Sequence, residues 1–171
     1  EWGVLKLGAI TWCQFDENEQ KALPPDIEPK PEIEVKKGDL LFSRKNTHEL
    51  VAAAAYVNAT RPKLMLPDLI FRLVLNIESV INPIFLWKLL VNSHQRKTIQ
   101  KLAGGAAGSM PNISKAKLLS VSLIAPPLDL QRRFAEIVSS VEEQKAKMRK
   151  HLEQLDDLFA SLQQRAFRGD L

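Results

Sequence analysis

Two hydrophobic rhythms divide this chain. Up to Pro126-Pro127, short apolar runs are punctuated by Pro, Gly and Asn; beyond it no Pro or Gly occurs until Gly169. In the first part Val4 to Ile10, Asp39 to Phe42, Leu50 to Val57, Leu69 to Leu75 and Leu118 to Ile124 are short and bounded by turn residues, which predicts strands. One helix is signalled among them. Asn82 caps it, Pro83 sits in the first turn where its missing amide costs nothing, Phe85, Leu86, Leu89 and Leu90 form a stripe, and Gly104-Gly105 ends it. Leu23 to Pro31, "LPPDIEPKP", is an acidic, proline-rich loop too polar for a core. The expectation is a mixed, strand-rich α+β domain.

In the second part Phe134, Val138, Val141, Lys145, Met148, Leu152, Leu155, Phe159, Leu162 and Ala166 follow one another at alternating spacings of four and three. That is the seam of a coiled coil, in which one narrow stripe faces a partner helix. Lys145, its polar member, reads as a register device. Asp129 is the expected cap, and a helix of about 39 residues would be roughly 58 Å long. A domain of about 130 residues has a radius of gyration of only about 14 Å, so such a rod needs a second long helix; folding back on its own domain is the alternative. The expected organisation is a domain over 1–127 and a helix over 128–171.

At 171 residues and 45% apolar, the chain has material for one core of ordinary size. No run reaches the 18 to 20 or so apolar residues of a membrane span, and Glu1 opens into folded-looking sequence without a signal peptide, so a cytoplasmic setting is expected. The single cysteine, Cys13, excludes an internal disulfide and reads as a small buried hydrophobe. The net charge of +4 hides a sharp division. Residues 1–35 carry three bases against eight acids, residues 36–128 thirteen bases against four acids, and the remainder eight of each. The basic middle points to an anionic partner.

Chemistry is sparse. "NPIF" at Asn82 to Phe85 lacks the second proline of the amino-methyltransferase loop, and helix capping accounts for it. Pro67-Asp68 with Glu78 has nuclease character, but Val80 stands where the lysine should be. Ser114 and Lys117 have Ser-x-x-Lys spacing, and a cap on a short turn explains Ser114 better. His48, His94 and His151 form no metal-binding spacing, and "AGGAAGS" at Ala103 to Ser109 lacks both the GxGxxG pattern and a Walker lysine. No nucleophile, base and orienting acid fall together, so a binder without metal or cofactor is expected rather than a catalyst.

Several segments resemble, in order, the DNA specificity subunits of type I restriction-modification enzymes: "GDLLFSR" at Gly38 to Arg44, "LPDLIFRLVLN" at Leu66 to Asn76, "INPIFLWKLLVNSHQRKTI" at Ile81 to Ile99, "SMPNISKAKLLSVSLIAPPLDLQ" at Ser109 to Gln131, and "RAFRGDL" at Arg165 to Leu171. The resemblance implies a target recognition domain followed by a spacer helix. In such subunits two recognition domains, held apart by antiparallel helices, each read half of a bipartite site on double-stranded DNA. Methyltransferase subunits grip the helical middle, and catalysis belongs to them and to the restriction subunits. This chain has one domain and one helix, which suggests a fragment or a half-subunit pairing with a second copy through its seam.

The strand ending at Phe42 then gains a purpose for the polar run that follows it. Arg bonds guanine O6 and N7 together, Asn does the same with adenine, and Lys seeks phosphate, so Ser43, Arg44, Lys45, Asn46 and Thr47 are candidate readers. Arg61, Lys63, Lys115 and Lys117 are candidate phosphate contacts. The glycine-rich loop with Ser109, Met110 and Asn112 is small enough to approach a duplex closely. Two other readings stay open: a coiled-coil adaptor for an acidic protein, and the recognition portion of a single-chain restriction enzyme.

Overall fold

The computed structural model describes residues 1–75, 80–105 and 110–169. Their backbone contacts divide the chain into two compact units, Glu1–Gln131 and Arg132–Leu171. The fold is α+β with a long C-terminal helix, as the two rhythms predict.

The first unit is built on two three-stranded sheets. In one, β1 (Gly3–Leu5) pairs antiparallel with β2 (Gln20–Ala22) and parallel with β5 (Leu64–Met65). In the other, β3 (Leu40–Ser43) runs antiparallel between β4 (Ala54–Tyr56) and β6 (Ile70–Arg72). Leu5 and Leu64 from the first sheet and Leu41, Ala55 and Ile70 from the second share one core with Ala9, Ile10, Val35 and Val57. Because β3 is central and covered on both faces, Leu40, Leu41 and Phe42 run apolar without alternation, and all four residues, Ser43 included, are buried. Burying a side chain such as Phe42 stabilises the fold by about 1.5–3 kcal/mol.

Gly38, at φ +96, makes the turn into β3 in a conformation that a side chain would strain. Its amide donates to Val57 O, and Asp39 pairs with Arg72 at 3.0 Å.

Several expected elements are shorter or different. The run Val4 to Ile10 is not one strand: β1 stops at Leu5 and helix α1 (Gly8–Thr11) follows, turning Ala9 and Ile10 into the core. Gly8 opens the helix, its bare Cα lying against the Glu19 side chain. Leu50 to Val57 begins as a turn on the Thr47 carbonyl, and only after Ala52, at φ 63, does β4 start. Ladder pairing over Leu69 to Leu75 is confined to Ile70–Arg72, with one further bond from Leu73 N to Leu40 O at 2.8 Å. Leu118 to Ile124 is no strand at all. Ser114 Oγ accepts from the Lys117 amide and starts helix α4 (Lys115–Leu119), after which the chain runs on without a ladder.

The helix from Asn82 is two helices. Asn82 Oδ1 accepts from the Ile84 and Phe85 amides to start α2 (Pro83–Val91), as expected. At Asn92, ψ 132 breaks the helix, and the same side chain caps α3 (Ser93–Gln100) by accepting from His94 and Gln95. Trp87 of α2 lies on β4, its indole Nε1 donating to Ala54 O at 3.1 Å and to Cys13 O at 3.2 Å. Cys13 is half-buried rather than buried.

Helix α5 spans Leu128–Arg168, 41 residues, with Asp129 inside its first turn rather than at the cap. Its seam side chains Met148, Leu152, Leu155 and Phe159 are all about three-fifths exposed or more, and Lys145 pairs with Glu142 of the same helix at 3.3 Å.

Gln131 has no exposed surface. Its Oε1 accepts from the Asn82 amide at 2.9 Å, and its Nε2 donates to Val80 O at 3.0 Å and Pro126 O at 2.6 Å. Gln131→Leu keeps the volume but strands three backbone groups. The expected loss is on the order of 3 kcal/mol, read as a lower urea midpoint at unchanged slope.

Candidate nucleic-acid interface

A buried strand that reaches the surface must still satisfy its backbone amides and carbonyls. The bonds that do so here form the site. Ser43 N donates to Ala53 O at 2.8 Å, Arg44 N to Leu69 O at 3.1 Å, and Asn46 N to Pro111 O at 3.4 Å, while Arg44 O accepts from Ile113 N at 2.8 Å. Asn112 in turn exchanges backbone bonds with Gly104, at 2.8 and 3.0 Å. Segments 44–47, 104–105 and 110–113, far apart in sequence, are thereby laid side by side.

Arg44 is half-buried. Its Nε donates to Asn112 Oδ1 at 3.2 Å, and its guanidinium carbon lies 5.0 Å from the centroid of the Phe71 ring. Lys45 bridges to Asn112 through the backbone and is also half-buried; Thr47 and Met110 are exposed. Ser114 caps α4 directly after this segment and carries Lys115 and Lys117, both exposed, onto the same stretch. Lys117 Nζ donates to Leu102 O at 2.8 Å. Phe71 and Lys115 also line a common groove of about 780 Å³, with Leu86, Leu90 and Leu118 among its walls.

Other residues expected to contact DNA, as readers or at phosphate, lie elsewhere. Ser43 belongs to β3 and is fully buried, and Asn46 is only 6% exposed, its Oδ1 accepting from the Thr47 amide. Neither offers its side chain to a duplex, because continuing the ladder one residue past Phe42 draws Ser43 inward. Arg61 and Lys63 attach to the first sheet. The Arg61 guanidinium donates to Gln20 Oε1 at 2.8 Å, Pro62 O at 3.0 Å and Glu1 O at 3.2 Å, so its donors are taken up by neutral carbonyl oxygens around the first sheet. Lys63, at φ 66, is exposed beside it. Ser109 lies outside the described residues, as do Asn76 and Glu78.

Three contributors were not foreseen. Phe71 sits opposite Phe42 in the β3–β6 register, which no local pattern reveals. Arg96 Nη2 donates to Glu49 O at 3.0 Å and Leu50 O at 3.4 Å, and Gln100 Nε2 to Glu49 O at 3.0 Å and Val51 O at 3.1 Å. Together they make α3 a clamp on the turn after the polar run. Among the described residues no cluster of His, Cys, Asp or Glu has the geometry to hold a metal ion, and no helix is long and apolar enough to cross a membrane.

The chain belongs to the family of type I restriction modification DNA specificity domains, whose sequence model matches residues 8–156. It is 32% identical over 142 residues, 83% of its length, to the type I restriction enzyme EcoEI specificity subunit of Escherichia coli. The chain spans about a quarter of that relative, 23% of its length.

Arg96→Ala removes half of the clamp. Amide exchange over residues 47–51 is expected to quicken while the sheets stay protected, with a loss of about 1 kcal/mol in stability.

Proposed function

We propose that this chain recognises a specific sequence in double-stranded DNA as the specificity subunit, or half-subunit, of a type I restriction-modification complex. Residues 1–127 serve as the target recognition domain and 128–171 as a spacer and pairing helix. The observation that carries this reading is the convergence of Arg44, Lys45 and Asn112 with the Lys115–Lys117 turn at the end of a buried strand, in a chain of the DNA specificity family. Fixed backbone holds the reading side chains at one angle, and flanking lysines supply attraction that is blind to sequence.

In this role the chain is non-catalytic and works in the cytoplasm. Methyltransferase and restriction subunits do the chemistry at a bipartite site. The seam of α5 supports pairing with a second copy or a second half-subunit in antiparallel order, because a two-fold axis lets identical stripes cover each other.

Affinity for duplex DNA is expected to fall linearly on a log–log plot against salt. Lys115→Ala should weaken all sequences alike and make that slope shallower by about 1, measured by fluorescence anisotropy on the complex with its methyltransferase partner. In sedimentation equilibrium the chain is expected to form dimers, and Leu155→Glu, which puts a charge into the seam, to shift it to monomer.

A further inference from the structure

Arg44 is fixed twice over. Its backbone is held by Leu69 O at 3.1 Å and Ile113 N at 2.8 Å, and its side chain by Asn112 Oδ1 at 3.2 Å and the Phe71 ring at 5.0 Å. The holders are themselves fixed: Asn112 by the paired bonds to Gly104, Phe71 by its place in β6. A guanidinium carries five N–H donors in one planar fork. Here Asn112 takes the donor on Nε, and the ring lies against the guanidinium. Among the described residues neither Nη group donates a hydrogen bond. What remains is the end-on pair of donors, restrained to one plane.

We propose that Arg44 reads a single guanine through O6 and N7 with this Nη1/Nη2 edge, and that Asn112 and Phe71 are the positioning residues that set its angle. The inference rests on the DNA-reading role above and goes further by naming one base and the groups that aim its reader. It also moves Asn112 from base reader to support, since its Oδ1 is committed to Arg44. A phosphate contact asks chiefly for charge, which a mobile lysine supplies. Two coplanar acceptors on a base edge ask for a flat donor pair held at one angle, and restraint from two sides lowers the entropy lost when that pair binds.

The test uses the native gene in its host, with methylome sequencing, followed by binding of the purified native complex to duplexes of the motif found. If deleting the gene removes no motif, the DNA-reading role fails and takes this inference with it. Where a motif is lost, Arg44→Lys is expected to make one guanine position degenerate while the others hold. Replacing that guanine by 7-deazaguanine should weaken the wild type roughly 10-fold or more and leave Arg44→Lys unaffected. Asn112→Leu and Phe71→Leu should each relax the preference for that guanine at an unchanged salt slope. Asn112→Asp, which keeps the acceptor, should retain the preference while lowering affinity for every sequence alike. Thermal melts accompany each variant, and Arg44→Lys leaves the backbone bonds in place. A motif unaltered in Arg44→Lys marks a phosphate clamp and overturns the proposal, as does discrimination that survives the combined Asn112→Leu and Phe71→Leu change.

Discussion

The site exists because a strand buried on both faces has to come out. β3, the central strand, carries four buried residues to its C-terminal end, and each backbone group it brings there needs a partner in place of water. The partners are the carbonyls of Ala53, Leu69 and Pro111 and the amide of Ile113, drawn from three other parts of the chain. Satisfying one strand end thus gathers Phe71 and Asn112 around Arg44, and α4 with its lysines begins just beyond Ile113. The same requirement buries Ser43, whose Oγ has no hydrogen-bond partner among the described residues. Rigidity at the site is a by-product of backbone bookkeeping in the core.

Charge follows the same architecture. The acidic first 35 residues supply β1, β2 and the surroundings of Arg61, where Glu17 takes its amide and Gln20 its guanidinium. The basic middle supplies the second sheet, α3 and α4. Arg72 is the exception that proves structural: it is a base of the middle, yet it bonds Asp39 and the backbone carbonyls of Glu32 and Glu34. The positive balance of the middle therefore overstates what is available to an anion. Lys115, Lys97 and Lys101, exposed on α4 and at the end of α3, are better placed to attract one.

Signals that act within one turn of chain were legible. Gly38-Asp39 before β3, Asn82-Pro83 before α2, Ser114 before α4 and the four-three spacing of α5 each encode their element locally. What escaped was set by distant groups. β2 is a polar edge strand whose identity comes from pairing with β1, and β5 is only two residues long. Asn92 interrupts an apolar and basic stretch that otherwise reads as continuous helix. At the site, Arg44 and Lys45 were visible as residue types at a strand end. The burial of Asn46, the diversion of Arg61 and the arrival of Phe71 all depend on tertiary pairing, which a single sequence does not display.

A site held by backbone bonds keeps its shape only if the elements around it keep theirs, and Gln131 bears on that point. It joins the amide that opens α2, the carbonyl of Val80 and the carbonyl of Pro126 through one buried side chain. An apolar residue could fill the same space but would leave those groups unpaired, so the amide side chain is chosen by hydrogen bonding and not by volume. Its position in the "PPLDLQ" segment explains why that stretch combines prolines with a polar residue in a helix. The prolines deny helix to the residues before Leu128, and Gln131 ties the first turn of α5 to the cap of α2. The first turn of the long helix is in this way tied into the polar core of the first unit, to which Gln131 belongs.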